Sequence, residues 1–262
     1  MGAFTVYGLD VAVAVLNAAE RRRAGVILLV SAETFRSRTG RALAIGARVL
    51  CEESPVECCL QLDHVAQLDL VAAGFLAGFG SVMVDGSRLP FQENADLVRA
   101  ASGIAANHGG GIEAELGRVE GDEDASSGAD VGLLTDPGQA EQFMVTTGAD
   151  CLAVSIGNVH GIFRAPPVLD FDRLEHVARS VPQPLSLHGA SGIPAPSLQD
   201  AIAAGISKVN VNTELRQSYF AAIREHMAEL EPGAQVLRLS QLISARVEAT
   251  VYEKLGIFDA AG

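Results

Sequence analysis

The sequence predicts a single (β/α)8 barrel, an α/β TIM-barrel fold, over residues 1–262, and three observations carry the prediction. Eight short β-branched or apolar runs alternate with longer stretches whose apolar residues recur at helical spacing, the pattern of repeated parallel βαβ units. The chain is 48% hydrophobic, with many small residues and no Trp, which suits close-packed helices over buried strands and gives enough material for one large core. The chemistry-bearing polar residues also fall at the ends of the runs, where the C-terminal rim of a barrel would gather them. A doubly wound open sheet is the alternative topology.

The runs are residues 2–6, 25–30, 56–62, 81–85, 111–117, 151–156, 184–188 and 208–212. After the first run, Val11, Val15, Ala18 and Ala19 mark a helix face, and Glu20-Arg21-Arg22-Arg23 breaks the apolar stretch before it could act as a membrane span or signal sequence. The third run is followed by Asp63-His64, the fourth leads into Asp85-Gly86-Ser87, and the fifth carries Glu115. Residues 118–134 then form a polar stretch, with Glu120, Asp122, Glu123, Asp124 and Ser126-Ser127-Gly128. At roughly fifteen residues it is long for a βα loop and reads as a lid, or as an acidic surface loop. His160 lies past the sixth run. Phe171, Leu174, Val177 and Ala178 mark the next helix, His188 ends the seventh run, and the eighth holds Lys208 to Asn212.

The formal charge of −13 argues against a sequence-independent grip on nucleic acid or on an anionic membrane, both of which need a broad basic surface. Lys208 and Lys254 are the only lysines, so a phosphate would be held by backbone N–H groups, hydroxyls, amides or Arg. Cys51, Cys58, Cys59 and Cys151 lack CxxC spacing and read as reduced packing residues of a soluble cytoplasmic protein.

Of six histidines, His108, His176 and His226 sit in or beside helical patterns, whereas His64, His160 and His188 sit at or just past strand ends. Three imidazoles on one rim suit Zn²⁺ with an open fourth position. Asp63 is placed to shuttle a proton or to act as a cap, with its side chain diverging from that of His64. Asp85 and Glu115 could hold a second cation, orient the histidines or make structural hydrogen bonds. His188-Gly189-Ala190-Ser191-Gly192 and Lys208-Val209-Asn210-Val211-Asn212-Thr213 follow the last two strands, where small-residue turns and exposed amides commonly cradle phosphate.

At these residues the chain resembles the class II, zinc-dependent ketose-bisphosphate aldolases, the fructose- and tagatose-bisphosphate aldolase family. The matching segments are Leu62-Asp63-His64, residues 80–87, Glu113-Ala114-Glu115-Leu116-Gly117, and residues 153–161, 187–192 and 208–215, in the family's order. The resemblance implies a lyase joining or splitting dihydroxyacetone phosphate and an aldehyde. It implies His64, His160 and His188 as ligands of the catalytic Zn²⁺, Asp63 as proton donor, and Asp85 and Glu115 as holders of a second metal. It also implies Glu123 as the loop carboxylate that moves a proton at carbon. Gly161, Gly189, Ala190, Ser191, Asn210, Val211, Asn212 and Thr213 become the phosphate cradle, which in the family often includes Na⁺ or K⁺. The implied partners are a small-molecule sugar phosphate and further copies of the chain, as a homodimer or homotetramer.

Three departures stand out. The family's N-terminal helix has no counterpart before Met1-Gly2-Ala3-Phe4, the usual Ser-x-Gly turn after strand two reads Ser31-Ala32-Glu33, and the lid sequence differs at Glu120 and Asp122. A carboxylate at Glu33, with few basic residues near the mouth, would repel a second phosphate. Two rival readings follow: a Schiff-base aldolase, with Lys208 as the only strand lysine, and a paralogue that binds a sugar phosphate or a partner protein without turnover.

Overall fold

The computed structural model describes residues 1–121, 128–163 and 167–260. Eight parallel strands close a barrel: β1 (Gly2–Thr5), β2 (Val26–Ser31), β3 (Cys58–Val65), β4 (Ser81–Val84), β5 (Gly111–Leu116), β7 (Cys151–Val154), β9 (Leu185–Leu187) and β10 (Ile206–Val211). Closure comes from β1, which pairs with β2 on one side (Gly2↔Val26) and with β10 on the other (Gly2↔Val209). The helices α1 (Leu9–Arg22), α2 (Ala32–Arg36), α3 (Arg38–Glu53), α4 (Leu68–Leu76), α5 (Phe91–Ala106), α6 (Pro137–Thr147), α7 (Phe171–Ser180), α8 (Ala195–Ala203), α9 (Thr213–Leu230) and α10 (Val236–Asp259) form the connections and the outer layer. The barrel is the TIM barrel that the alternation of runs predicts.

Strand alternation sorts the side chains into two layers. Val26, Leu28 and Val30, Leu60 and Leu62, Val82 and Val84, Ile112 and Ala114, and Leu152 and Val154 belong to one buried apolar cluster with the helices. Burying a side chain such as Leu62 there contributes about 1.5–3 kcal/mol. The intervening residues face the lumen, because successive side chains on a strand take opposite sides. They include Gln61, Asp63, Glu113, Glu115, Ser186, Lys208 and Asn210, all buried and all polar. The lumen thus mixes these hydrogen-bonding groups with apolar residues such as Leu29, Met83 and Ala153.

Two departures from the sequence expectation concern this rim. Strand β3 runs to Val65, so Asp63 and His64 lie within it rather than after it. The long stretch after β5 also contains a strand, β6 (Gly128–Ala129), which pairs in parallel with β8 (Ile162–Phe163) and so ties that stretch to the segment following β7. Residues 122–127, and with them Glu123, lie outside the described residues. Among the described residues no helix is long and apolar enough to cross a membrane, and Cys51, Cys58, Cys59 and Cys151 are all free thiols.

Candidate active site at the barrel mouth

Alternation alone would turn Asp63 inward and His64 outward, which is the divergence expected from the sequence. At His64 the backbone also leaves regular strand geometry. His64 has φ of 54°, in the left-handed region that non-glycine residues rarely occupy, and the β3–β4 register shifts between Leu62 and Val65. With this local twist, His64 stands among His160, His188 and Asp85. Such strain, of order 1–3 kcal/mol, persists where surrounding contacts hold it.

The three strand-end histidines converge. The ring centroids of His64 lie 5.0 Å from those of His160 and 5.1 Å from His188, and His160 and His188 are 5.8 Å apart. All three pairs are edge-on, with one nitrogen of each ring within 4.8 Å of the others. His160 is held there by its backbone N–H, which donates to Glu120 O at 2.7 Å. Asn158, which the sequence reading did not single out, is wholly buried and bridges the ends of β7 and β9, donating to Val154 O at 3.2 Å and His188 O at 3.0 Å. Among the remaining histidines, His108 stacks on Phe75 at 5.7 Å and His176 Nδ1 meets Asp172 O at 2.5 Å, on or beside helices.

The carboxylates around this triad divide by environment. His64 Nδ1 lies 2.9 Å from Asp85 Oδ2. Burial works to raise the Asp85 carboxyl, but the hydrogen bond and charge of His64 and the donors of Ser87 outweigh it and hold the pKa well below the usual range. Asp85 therefore accepts, and His64 Nδ1 donates. Glu115 behaves oppositely, since burial and then the neighbouring Asp85 charge raise its pKa. Its Oε1 accepts from Val119 N at 2.9 Å, while its buried Oε2 has no hydrogen-bond partner. His64, Asp85 and Glu115 offer ligand atoms within 4.8 Å of one another, so they form a second candidate group for an ion that shares His64. Asp63 is 2% exposed, and its Oδ1 has no hydrogen-bond partner.

A layer below, Glu113 is the hub of a buried network. Its Oε2 lies 2.8 Å from Lys208 Nζ and 2.8 Å from Gln61 Nε2, and its Oε1 lies 2.8 Å from His188 Nε2. Burial would raise Glu113, but Lys208 and His188 hold it well below the carboxylate range. Burial would lower Lys208, but Glu113 and then Asp63 hold it above its ordinary value. A buried ammonium so paired is a poor nucleophile, which removes the basis for a Schiff-base reading.

The turn after β9 and the end of β10 also meet. Gly189 has φ of 59°, and a Cβ there would stand 2.1 Å from Val159 O, so only glycine lets this turn pass beneath the His160 loop. Ser191 Oγ receives Glu214 N at 3.4 Å, Glu214 Oε1 receives Gly192 N at 3.2 Å, and Lys254 lies 2.6 Å from Glu214 Oε2. Ala190, Ser191, Asn210, Val211, Asn212 and Thr213 are all buried at this junction with the N-terminus of α9, and Gly161 (φ 85°) closes the loop after His160.

A cavity of about 320 Å³ opens beside His64 and His160, lined by Ser31, Glu33, Arg36, Arg88 and Arg118 among others. Its three arginines come from separate segments of the chain. Ser31 itself caps α2, its Oγ accepting Thr34 N at 3.2 Å.

Comparison with known proteins agrees with this geometry. The family described as fructose-bisphosphate aldolase class-II matches residues 1–262. The chain belongs to that family. The family is one of lyases and works with a divalent cation. A probable fructose-bisphosphate aldolase of Bacillus subtilis (strain 168) is 37% identical over 231 residues, covering 87% of this chain and 81% of that protein. Among solved structures, the YdjI aldolase from Escherichia coli K12 superposes with a TM-score of 0.89 at 29% identity, and a putative fructose-1,6-biphosphate aldolase from Coccidioides immitis with 0.92 at 30%. Each likeness covers 100% of this chain and 92% of the other.

The residues present suit the cation that a class II aldolase uses. Three imidazoles form a borderline-soft donor set, and Glu115 Oε2 is a buried acceptor without a partner beside them.

Proposed function

We propose that the chain is a zinc-dependent aldolase that makes or breaks the C–C bond between dihydroxyacetone phosphate and an aldehyde. The observation that carries this reading is the convergence of three imidazoles, with the buried Asp63 adjacent in sequence to one of them, on the rim where barrel active sites lie. His64, His160 and His188 would hold Zn²⁺, and Asp85 and Glu115 would hold a second ion or orient His64. When bound, the divalent cation supplies a Lewis acid that polarises the ketone and offsets the negative charge left by C–C cleavage.

The chain's own groups do the rest. In cleavage, Asp63 takes the proton of the hydroxyl that becomes the aldehyde oxygen, and the electron pair of the broken bond stays with the dihydroxyacetone phosphate fragment. Its buried Oδ1, with no hydrogen-bond partner, is open to that proton. Glu123 would then return a proton to carbon. The backbone of Gly161 and of Gly189, Ala190 and Ser191, with Asn210, Val211, Asn212 and Thr213, would bind the phosphate, with Na⁺ or K⁺ as a further ion of that cradle. A phosphate held away from the breaking bond orients the substrate. The expected setting is a cytoplasmic homodimer or homotetramer.

Zinc-loaded protein incubated with dihydroxyacetone phosphate and a panel of phosphorylated and unphosphorylated aldehydes should give a ketose phosphate, followed by phosphorus NMR. Failure to condense any aldehyde or to cleave any ketose phosphate would favour the non-catalytic paralogue.

A further inference from the structure

We infer that Lys208, acting through Glu113 and Asn210, is a positioning residue that sets both the tautomer of His188 and the orientation of the Asn210 amide. This rests on His188 as a cation ligand and Asn210 as a substrate group, as proposed above.

Lys208 is buried on the lumen side of β10. An ammonium has three donors and no acceptor. Here its partners are Glu113 Oε2 at 2.8 Å, Asn210 Oδ1 at 2.7 Å and Ser186 Oγ at 3.4 Å. Glu113 Oε2 takes a second donor from Gln61, so the remaining oxygen, Oε1, is turned to His188 Nε2 at 2.8 Å. A carboxylate can only accept. His188 Nε2 must therefore carry the hydrogen, and its lone pair is left on Nδ1.

The same logic runs through Asn210. Its Oδ1 must face the ammonium, so its Nδ2 faces the His188 ring, at 3.4 Å from Nδ1 and 3.3 Å from Nε2. An imidazole and a primary amide each have two nearly isosteric arrangements, and only one of each presents the right atom to the mouth. One buried cation selects both. Gln61, Glu113 and Ser186 come from the third, fifth and seventh strands of the barrel, so the selection is built into one rigid layer.

The competing description is a plain structural ion pair. The two separate cleanly, because replacing both members of a buried pair by neutral residues of similar shape is often neutral or stabilising. The test compares wild type, E113Q and the double variant K208M/E113Q. The readouts are thermal stability of the metal-free chain, Zn²⁺ affinity by chelator competition, and the visible spectrum of the Co²⁺-loaded protein. Gln at 113 can donate to His188 Nε2 and so permits the other tautomer.

A positioning role predicts Zn²⁺ affinity about 10- to 100-fold weaker in both variants and an altered Co²⁺ spectrum, even where the double variant is as stable as wild type. Should the double variant not fold, E113Q, which keeps the shape of the side chain and an acceptor for Lys208, decides the matter. Affinity within about twofold of wild type with an unchanged Co²⁺ spectrum would overturn the inference alone. No Zn²⁺ binding by the wild-type chain would overturn the reading of His188 as well.

Discussion

The two halves of the barrel mouth are built differently. On one side, the histidines, Asp63 and the turn after β9 stand on strands or directly after them. His188 is wholly buried, His160 is 4% exposed, and a hydrogen-bonded layer supports them from below. On the other side, Glu33, Arg36, Gln67 and Arg88 come from a short helix and loops and are exposed. Arg88 reaches Glu120 only at 3.6 Å. The half with fixed geometry is the one that would handle the ketose phosphate and the reacting bond. The half with solvated side chains is the one that an aldehyde would enter. Groups that must be placed to within about half an ångström need rigid support, whereas groups that choose among acceptors can vary without disturbing the reaction.

Substitutions should reveal that contrast as a gradient. His64→Ala should lose bound zinc and turnover together, with activity down by about 10³-fold or more, since it removes an essential group; metal analysis and a cleavage assay would show both losses. Asp63→Ala should keep zinc and lower turnover by about 10²- to 10⁴-fold, the range for one acid–base group. Equal zinc loss in both variants would erase the division of labour on the rigid side.

Acid should weaken the rigid half selectively. Glu113 and Asp85 have folded pKa values below their ordinary ones, so the stability they contribute is complete above about pH 4 to 5 and is lost as pH falls through the depressed values. Glu115 works in the opposite sense: its raised pKa means that its contribution is lost as pH rises through that value. The melting temperature of the metal-free chain should therefore fall progressively as pH drops below about 4, and fall less in the K208M/E113Q variant, which lacks the Glu113 contribution.

The smallest effects belong to the solvated half. Arg88→Ala should change stability by less than about 0.5 kcal/mol, as for exposed ion pairs. Arg36→Ala and Arg88→Ala should leave zinc content and proton exchange on dihydroxyacetone phosphate unchanged, while shifting KM for the aldehyde by a few-fold. A large loss of proton exchange in either variant would mean that the two halves are not separable.

The rigid half was also the legible one. Eight apolar runs predicted the barrel strands to within a few residues, because helix-facing positions such as Val82, Val84, Leu152 and Val154 must be apolar. Polar residues at run ends then led to His64, His160 and His188. What escaped were features carried by geometry rather than residue type. The left-handed backbone at His64 departs from regular strand geometry, and no composition signals it. Glu113 and Lys208 were in view, but their roles depend on facing each other across the lumen. The spacing of Glu113 from Glu115, and of Lys208 from Asn210, places each pair on one strand face and was the available clue. The arginines of the far cavity come from α2, the loop after β4 and the loop after β5, so only the closed barrel brings them together.

Exchange of the carbon-bound protons of dihydroxyacetone phosphate with solvent, followed by NMR without any aldehyde, isolates the rigid half. Wild-type protein should catalyse exchange when loaded with zinc, lose it on treatment with a chelator, and regain it when zinc is restored. Exchange that persists at the same rate in fully metal-stripped protein would contradict the assignment of the three histidines.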